Sequence, residues 1–328
     1  MAIAMPLSFS VWSALLNNFV IEAAGFDGAD IGWLHTVREV PGLLAVLVIA
    51  LIVFIREQVL ALVMLVVLGC ATAVTAYFPS MGGILTITLL SSIGFHYYET
   101  ANQSLQLQWL EKARAPQILG WLLAAGSGAT LIAYGAIVLT WEALGLSYAT
   151  VYMAAGGLTV LIAAYCFFAF PQIEAPTPQL KKMVLRRRYW LYYALEFMAG
   201  ARRQIFVVFA GFMMVEKFGF QVHEITALYL INLVINMIVA PLLGRAVGYF
   251  GERNTLAFEY TGLALVFLAY GGLYYFSWGV AVAAGEGAQV GDDRGHAPGQ
   301  LADQLEVAAG ILGALVVEED LGVFRVAA

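Results

Sequence analysis

The chain has 328 residues, 62% of them apolar and 12% charged, with a mean hydropathy of +0.83 and a net charge of −6. An ordinary globular domain carries roughly 25% charged residues, so a soluble domain is excluded and lipid or neighbouring helices must solvate most of this one. Residues 1–284 balance 14 basic against 14 acidic side chains, and residues 285–328 hold 2 against 8, which leaves no basic surface for a nucleic-acid partner.

The first apolar run, 2–24, has the length of a signal peptide. No Lys or Arg precedes it, however, and it continues into Glu22 without a cleavage site, so it reads as a retained membrane helix. A span needs about 20 mainly apolar residues to cross roughly 30 Å of hydrocarbon, and only a helix or a closed barrel pairs its backbone there. With Gly, Pro and charge as punctuation, that length predicts helical spans over 4–24, 31–55, 58–78, 83–110, 117–141, 147–170, 189–215, 222–247 and 254–277. The fold class is an all-α membrane protein of about nine full spans.

Charge sorts the connections. Arg56, Lys112, Arg114, Lys181, Lys182, Arg186, Arg187, Arg188, Arg245 and Arg253 fall in every second loop, and the intervening ones hold Lys217 alone. The basic loops are therefore cytoplasmic, as is the N-terminus. The longest connection, 171–188, follows the sixth span, contains Pro and ends in basic residues. It divides the chain into a six-helix bundle (1–170), a cytoplasmic linker (171–188), a partial second bundle (189–284) and an atypical acidic tail (285–328). A weak internal similarity fits two halves. Gly28-Ala29-Asp30 before span two has a counterpart in Val222-His223-Glu224 before span eight, and charged turns follow both, Arg56-Glu57 and Gly251-Glu252-Arg253. The offset is about 195 residues each time, as a duplicated half would give.

The turn after span eight, Gly244-Arg245-Ala246-Val247-Gly248-Tyr249-Phe250-Gly251-Glu252-Arg253, resembles the loop signature of the major facilitator superfamily. Gly244, Gly251 and Arg253 match its spacing; Gly248 replaces the acidic residue, and the first-half turn is reduced to Arg56-Glu57. The resemblance implies two six-helix bundles with cytoplasmic termini and a central cavity lined by four helices, among them spans one, four and seven. Of twelve expected helices, nearly ten lie in 1–284. The helix-four and helix-five motifs of drug/proton antiporters are not found.

Ionisable groups inside a span are costly and normally face a cavity or a partner. Span one has Asn17 and Asn18 near mid-depth with Glu22 one turn beyond. Span four has His96, Glu99, Asn102, Gln103 and Gln106, which share one helix face. Span seven has Glu196, Arg202, Arg203 and Gln204. Asn17, Asn18, His96, Gln103 and Arg203 are the expected solute ligands, and Glu99, His96 and Glu196 the expected proton-coupling groups. Arg38 and Glu39 in span two, with Gly244, Gly251 and Arg253, read as gate or structural positions, as do Asn232 and Asn236. Adjacent Arg202 and Arg203 leave one positive charge once Glu196 is paired, which points to an anionic solute; pairing of the second arginine with Glu99 or a group on a missing helix is the alternative.

Cys70 and Cys166 sit in separate apolar runs without metal-ligand spacing and read as small buried hydrophobes. No HExxH, paired-cysteine or nucleophile motif is found, so no enzymatic activity, metal or other cofactor is expected. From Gly285 the composition breaks and aromatic residues all but vanish. That break is the expected mark of a frame shift or chimeric end that removes helices ten to twelve, against a native acidic tail. The sequence therefore describes a secondary transporter of a small solute, with protons and the lipid bilayer as further partners. It is expected to be monomeric, in a bacterial-type cytoplasmic (inner) membrane. A non-transporting, degraded membrane protein is the alternative.

Overall fold

The computed structural model describes residues 1–111, 114–171, 186–191, 193–194, 208 and 211–250, with isolated positions between 254 and 268. Among them run α1 (Ala4–Ala24), α2 (Gly28–Leu43), a 3-10 turn (Leu44–Leu47), α3 (Val48–Phe54), α4 (Glu57–Val74), α5 (Met81–Trp109), α6 (Ala115–Thr140), α7 (Tyr148–Ala169) and α8 (Val222–Phe250). The second span is α2, the 3-10 turn and α3 together. Among the described residues, five stretches are long and apolar enough to cross a membrane: Ala4–Ala24, Gly28–Phe54, Glu57–Tyr77, Gln117–Thr140 and Tyr148–Ala169. α5 has the length, at 29 residues, but carries the polar stripe. Most of the expected spans 189–215 and 254–277, and the whole tail, lie outside the described residues.

Two compact units are present, Met1–Thr226 and Ala227–Ala328. In the first, α4 is central, packing on α5 along one side and α7 along the other. Ala4, Ala61, Leu65, Leu68, Tyr98, Ala101, Leu105 and Ala163 form a buried cluster where α1, α4, α5 and α7 meet. Trp33, Phe54, Trp121, Ile132, Leu161 and Phe168 point outward, where hydrocarbon takes the place of water. Of the two cysteines, Cys166 is buried but Cys70 is exposed. Cys70 thus corrects the expectation for it: it sits on an outward face of α4, which lipid covers without burying it in protein. In the second unit the described residues carry α8 on to Phe250.

Apolar residues give little preference for helix–helix contact over helix–lipid contact, so small residues and interhelical hydrogen bonds decide the packing. A Cβ on Gly156 would stand 2.2 Å from the Gly69 carbonyl oxygen and 2.4 Å from the Ala73 nitrogen, so the backbones of α4 and α7 touch there. Gly94 lets α5 approach α4 similarly, 2.6 Å from the Leu68 nitrogen by the same measure. Ser8 donates to the Thr159 hydroxyl at 2.8 Å, and Thr159 donates to the Ala4 carbonyl at 3.0 Å, tying α1 to α7.

Helix ends show why the chain turns where it does. Asp27 accepts from the Ala29 and Asp30 amides, and Asp30 accepts from the Asp27 amide at 3.2 Å, closing a capping box that starts α2 at Gly28. Just before it, Gly25 takes φ 64°, its amide bonds Ile21 O, and the Phe26 amide reaches Val20 O. The second half repeats this corner. Gly219 takes φ 68°, its amide bonds Val215 O, the Phe220 amide reaches Met214 O, and Glu224 accepts from the Gln221 amide at 2.8 Å. Gly-Phe followed by an acidic cap recurs at the offset read from the sequence, with the same backbone geometry. Only a glycine takes that left-handed φ at little cost.

Adjacent glycines test the packing account. Gly156→Ala should destabilise the protein by about 1–3 kcal/mol through overpacking. Gly157→Ala, whose Cβ meets nothing within 4 Å, should be neutral or stabilising by up to about 1 kcal/mol from helix propensity. Apparent melting temperatures in detergent check this, and equal effects at the two positions would show that the backbone contact does not set the packing.

Candidate functional site

Among the described residues, α1, α2 and α5 bring a cluster of polar side chains together within the first, second and fourth spans. α1 places Phe9 and Trp12 one helical turn apart on one face, and the Arg38 guanidinium carbon lies 5.2 Å from the first ring centroid and 5.4 Å from the second. Arg38 Nη1 is also 3.5 Å from Glu39 Oε1 and 3.5 Å from His35 Nδ1. The Arg38 side chain is 13% exposed. A buried guanidinium would be prohibitively costly alone; an adjacent carboxylate and two aromatic faces, each worth about 2 kcal/mol when desolvated, hold it there. Phe9 packs in turn on Phe95, with ring centroids 5.0 Å apart. Phe9, Trp12, Arg38, Thr88, Ser91, Ser92 and Phe95 line a narrow crevice with room for about one water molecule.

The second span breaks beside this cluster. Pro41 lies inside α2 and has no N–H to give the carbonyl one turn back; from Leu44 the chain tightens to 3-10 geometry. Side chains of α5 support the break. Ser92 donates to the Arg38 carbonyl, and the Tyr97 hydroxyl to the Leu44 carbonyl at 3.4 Å. His96 lies flat on the glycine that follows Pro41: a Cβ on Gly42 would meet its ring at 2.9–3.3 Å. His96 Nε2 is buried without a hydrogen-bond partner among the described residues.

The structure thus brings Arg38, Glu39 and His96 together across α2 and α5. Glu99, half-buried, and Gln103, exposed, follow along α5. Asn17 is buried, and Asn18, 1% exposed, donates from Nδ2 to the Phe220 carbonyl at 2.7 Å. Glu22 accepts from the Tyr148 hydroxyl at 2.9 Å. Gly244 lies within α8; Glu196, Arg202, Arg203, Gly251 and Arg253 lie outside the described residues. Sequence reasoning did not select Phe9, Trp12, His35, Gly42 or Ser92. The Pro41-Gly42 pair inside an otherwise apolar span was the available signal for part of them. Among the described residues, no three His, Cys, Asp or Glu side chains group as metal ligands would.

No family model matches the chain and no curated protein matches its sequence. Solved structures do match its shape. It is similar to the nucleoside transporter NupG, with a TM-score of 0.67 at 13% identity over 99% of this chain and 80% of that one. It is also similar to a bacterial homolog of the human lysosomal transporter Spinster. The inward-facing, occupied form gives a TM-score of 0.63 at 12% identity, over 97% of this chain and 71% of that one. The inward-facing, unoccupied form gives 0.64 at 11%, over 96% and 71%. The chain has the major facilitator fold. It is a multi-pass membrane protein.

The His96–Gly42 contact makes a prediction that a double-mutant cycle reads. Gly42→Ala alone should cost about 1–3 kcal/mol, because the methyl and the imidazole cannot share the space. Adding His96→Ala should recover at least half of that loss, a coupling of about 1 kcal/mol. Additive melting shifts in the double variant would show that ring and glycine are not in contact.

Proposed function

We propose that the protein is a secondary transporter of a bacterial cytoplasmic membrane, with a cytoplasmic N-terminus, moving a small solute by alternating access. The observation that carries this reading is a cluster of ionisable side chains, Arg38, Glu39, His35 and His96, at membrane depth in a fold shared with two transporters. Charges at that depth are costly, and proteins keep them where a passage or a coupling reaction uses them.

In this reading the α5 stripe of His96, Glu99 and Gln103 forms one wall of the passage, Asn17 and Asn18 belong to the wall from α1, and Arg203 contributes from span seven. Coupling to protons runs through His96 and Glu99, with Glu196 of span seven as the third group. His96 lies against α2 beside the Arg38–Glu39 pair, so its charge state acts on the helix that bends at Pro41. The surplus guanidinium of span seven makes the solute an organic anion, because a planar fork of donors matches carboxylate or phosphate oxygens.

Uptake by the full chain in liposomes, under an imposed proton gradient, tests this. The panel holds carboxylates, phosphate esters and one neutral nucleoside, the class named for NupG. Anion uptake should be present, and Arg203→Gln should reduce it by about tenfold or more, as expected for loss of a charge-assisted pair. A neutral solute carried with unchanged affinity by both Arg203→Gln and Arg203→Lys would remove the anion reading. Absence of uptake and counterflow for the whole panel by correctly inserted protein would remove the transporter reading.

A further inference from the structure

We propose that Asn18 is a gate residue. Its side-chain amide, supported by a Glu142–His223 contact, closes the non-cytoplasmic end of the passage in the conformation described. The proposal rests on the transporter reading above and gives Asn18 a role other than solute ligand.

Asn18 is on α1 about 9 Å short of its C-terminal end at Ala24, and its Nδ2 donates at 2.7 Å to the carbonyl of Phe220, a residue that follows the basic linker. Both residues are buried. Phe220 occupies the corner between the helical residues 211–218 and α8, where Gly219 takes φ 68° and the Phe220 amide is already bonded to Met214 O at 3.3 Å. That carbonyl follows the end of one helix and precedes the start of the next, so no intrahelical donor serves it. Asn18 supplies the donor. Its Oδ1 has no hydrogen-bond partner among the described residues, so the side chain is held through its N–H group. A second contact joins the same two parts of the chain: His223 Nδ1 at the start of α8 lies 3.5 Å from Glu142 Oε1, in the connection between α6 and α7.

Both contacts join a residue from the first six spans to one beyond the linker. Both also use connections that carry no cytoplasmic-type basic cluster. In alternating access the two halves must separate on that side before solute can enter. The fastening suits a gate because it is weak and polar: water can replace the Phe220 carbonyl as the partner of Asn18 when the halves part, so opening leaves no amide unpaired. An acceptor on the backbone also makes the contact independent of the side chain at position 220. The corner at Gly25-Phe26 has the same geometry, yet the position matching Asn18 in the second half is Phe212, so a single amide serves the pair of corners.

The test needs no solute, so it stands apart from any failure of the transport assay. In the full chain with Cys70→Ser and Cys166→Ala, nitroxides are attached at Leu144→Cys and Phe218→Cys, both exposed positions. Their separation is then read by pulsed electron resonance in lipid nanodiscs. Asn18→Ala should raise the longer-distance population by about 3- to 10-fold, the shift expected for losing one buried hydrogen bond; Asn17→Ala, its neighbour, should leave the distribution unchanged. His223→Ala, at a less buried contact, should give a smaller rise in the same direction. Asn18→Leu, close in shape and without a donor, serves where alanine impairs folding. Distributions identical to the parent in the Asn18 variants and in His223→Ala would overturn the proposal, as would equal opening by Asn17→Ala.

Discussion

No backbone amide or carbonyl in hydrocarbon can be left without a partner, and the positions where this chain bends or stops are those where other groups take over. At Gly25 and Gly219 a left-handed turn lets the chain bond back into its own helix. At Asp27 a side chain caps the next one. Around the break at Pro41, donors come from another helix: Ser92 and Tyr97 of α5 donate to the Arg38 and Leu44 carbonyls of the second span. The polar face of α5 thus has a structural duty even before any solute is considered.

That duty places the charged cluster. Once α5 must lie against the break in the second span, Arg38 and Glu39 sit one turn from the break, and His96 rests on Gly42. The aromatic pair of α1 covers the guanidinium from the other side. Packing, backbone satisfaction and charge compensation therefore converge on one point at membrane depth, where α1, α2 and α5 meet. The segment beside it, Pro41–Leu47, passes from α-helix to 3-10 geometry.

The bounds of the spans within the described residues were legible in the sequence because hydropathy is a local property. The expected spans 4–24, 58–78, 83–110, 117–141 and 147–170 fall on α1, α4 with its short 3-10 extension, α5, α6 and α7. The second span was set to begin at 31 and begins at Gly28, since Gly28 counts as a turn residue until the side chain of Asp27 is known to cap it. The internal repeat was visible as a faint match of acidic residues; its real carrier is the Gly-Phe corner just before them. What could not be read was facing. Phe9 and Trp12 look like any apolar residues of a span, and nothing in the order of residues shows that they cover Arg38. Asn18 likewise reads as a mid-depth polar group, and its carbonyl partner is more than half the chain away in sequence.

The central claim is that the polar face of α5 borders water that reaches it alternately from the two sides of the membrane. Single cysteines at His96, Glu99 and Gln103, with Leu90 on an exposed apolar face of the same helix as control, can be challenged with a membrane-impermeant thiol reagent. The reagent is added to right-side-out and to inverted vesicles. The account predicts that the three polar positions react and the control does not, and that Asn18→Ala increases reaction from the non-cytoplasmic side at the expense of the other. Protection of all three polar positions from both sides would show that the stripe is a dry interhelical network and would contradict it.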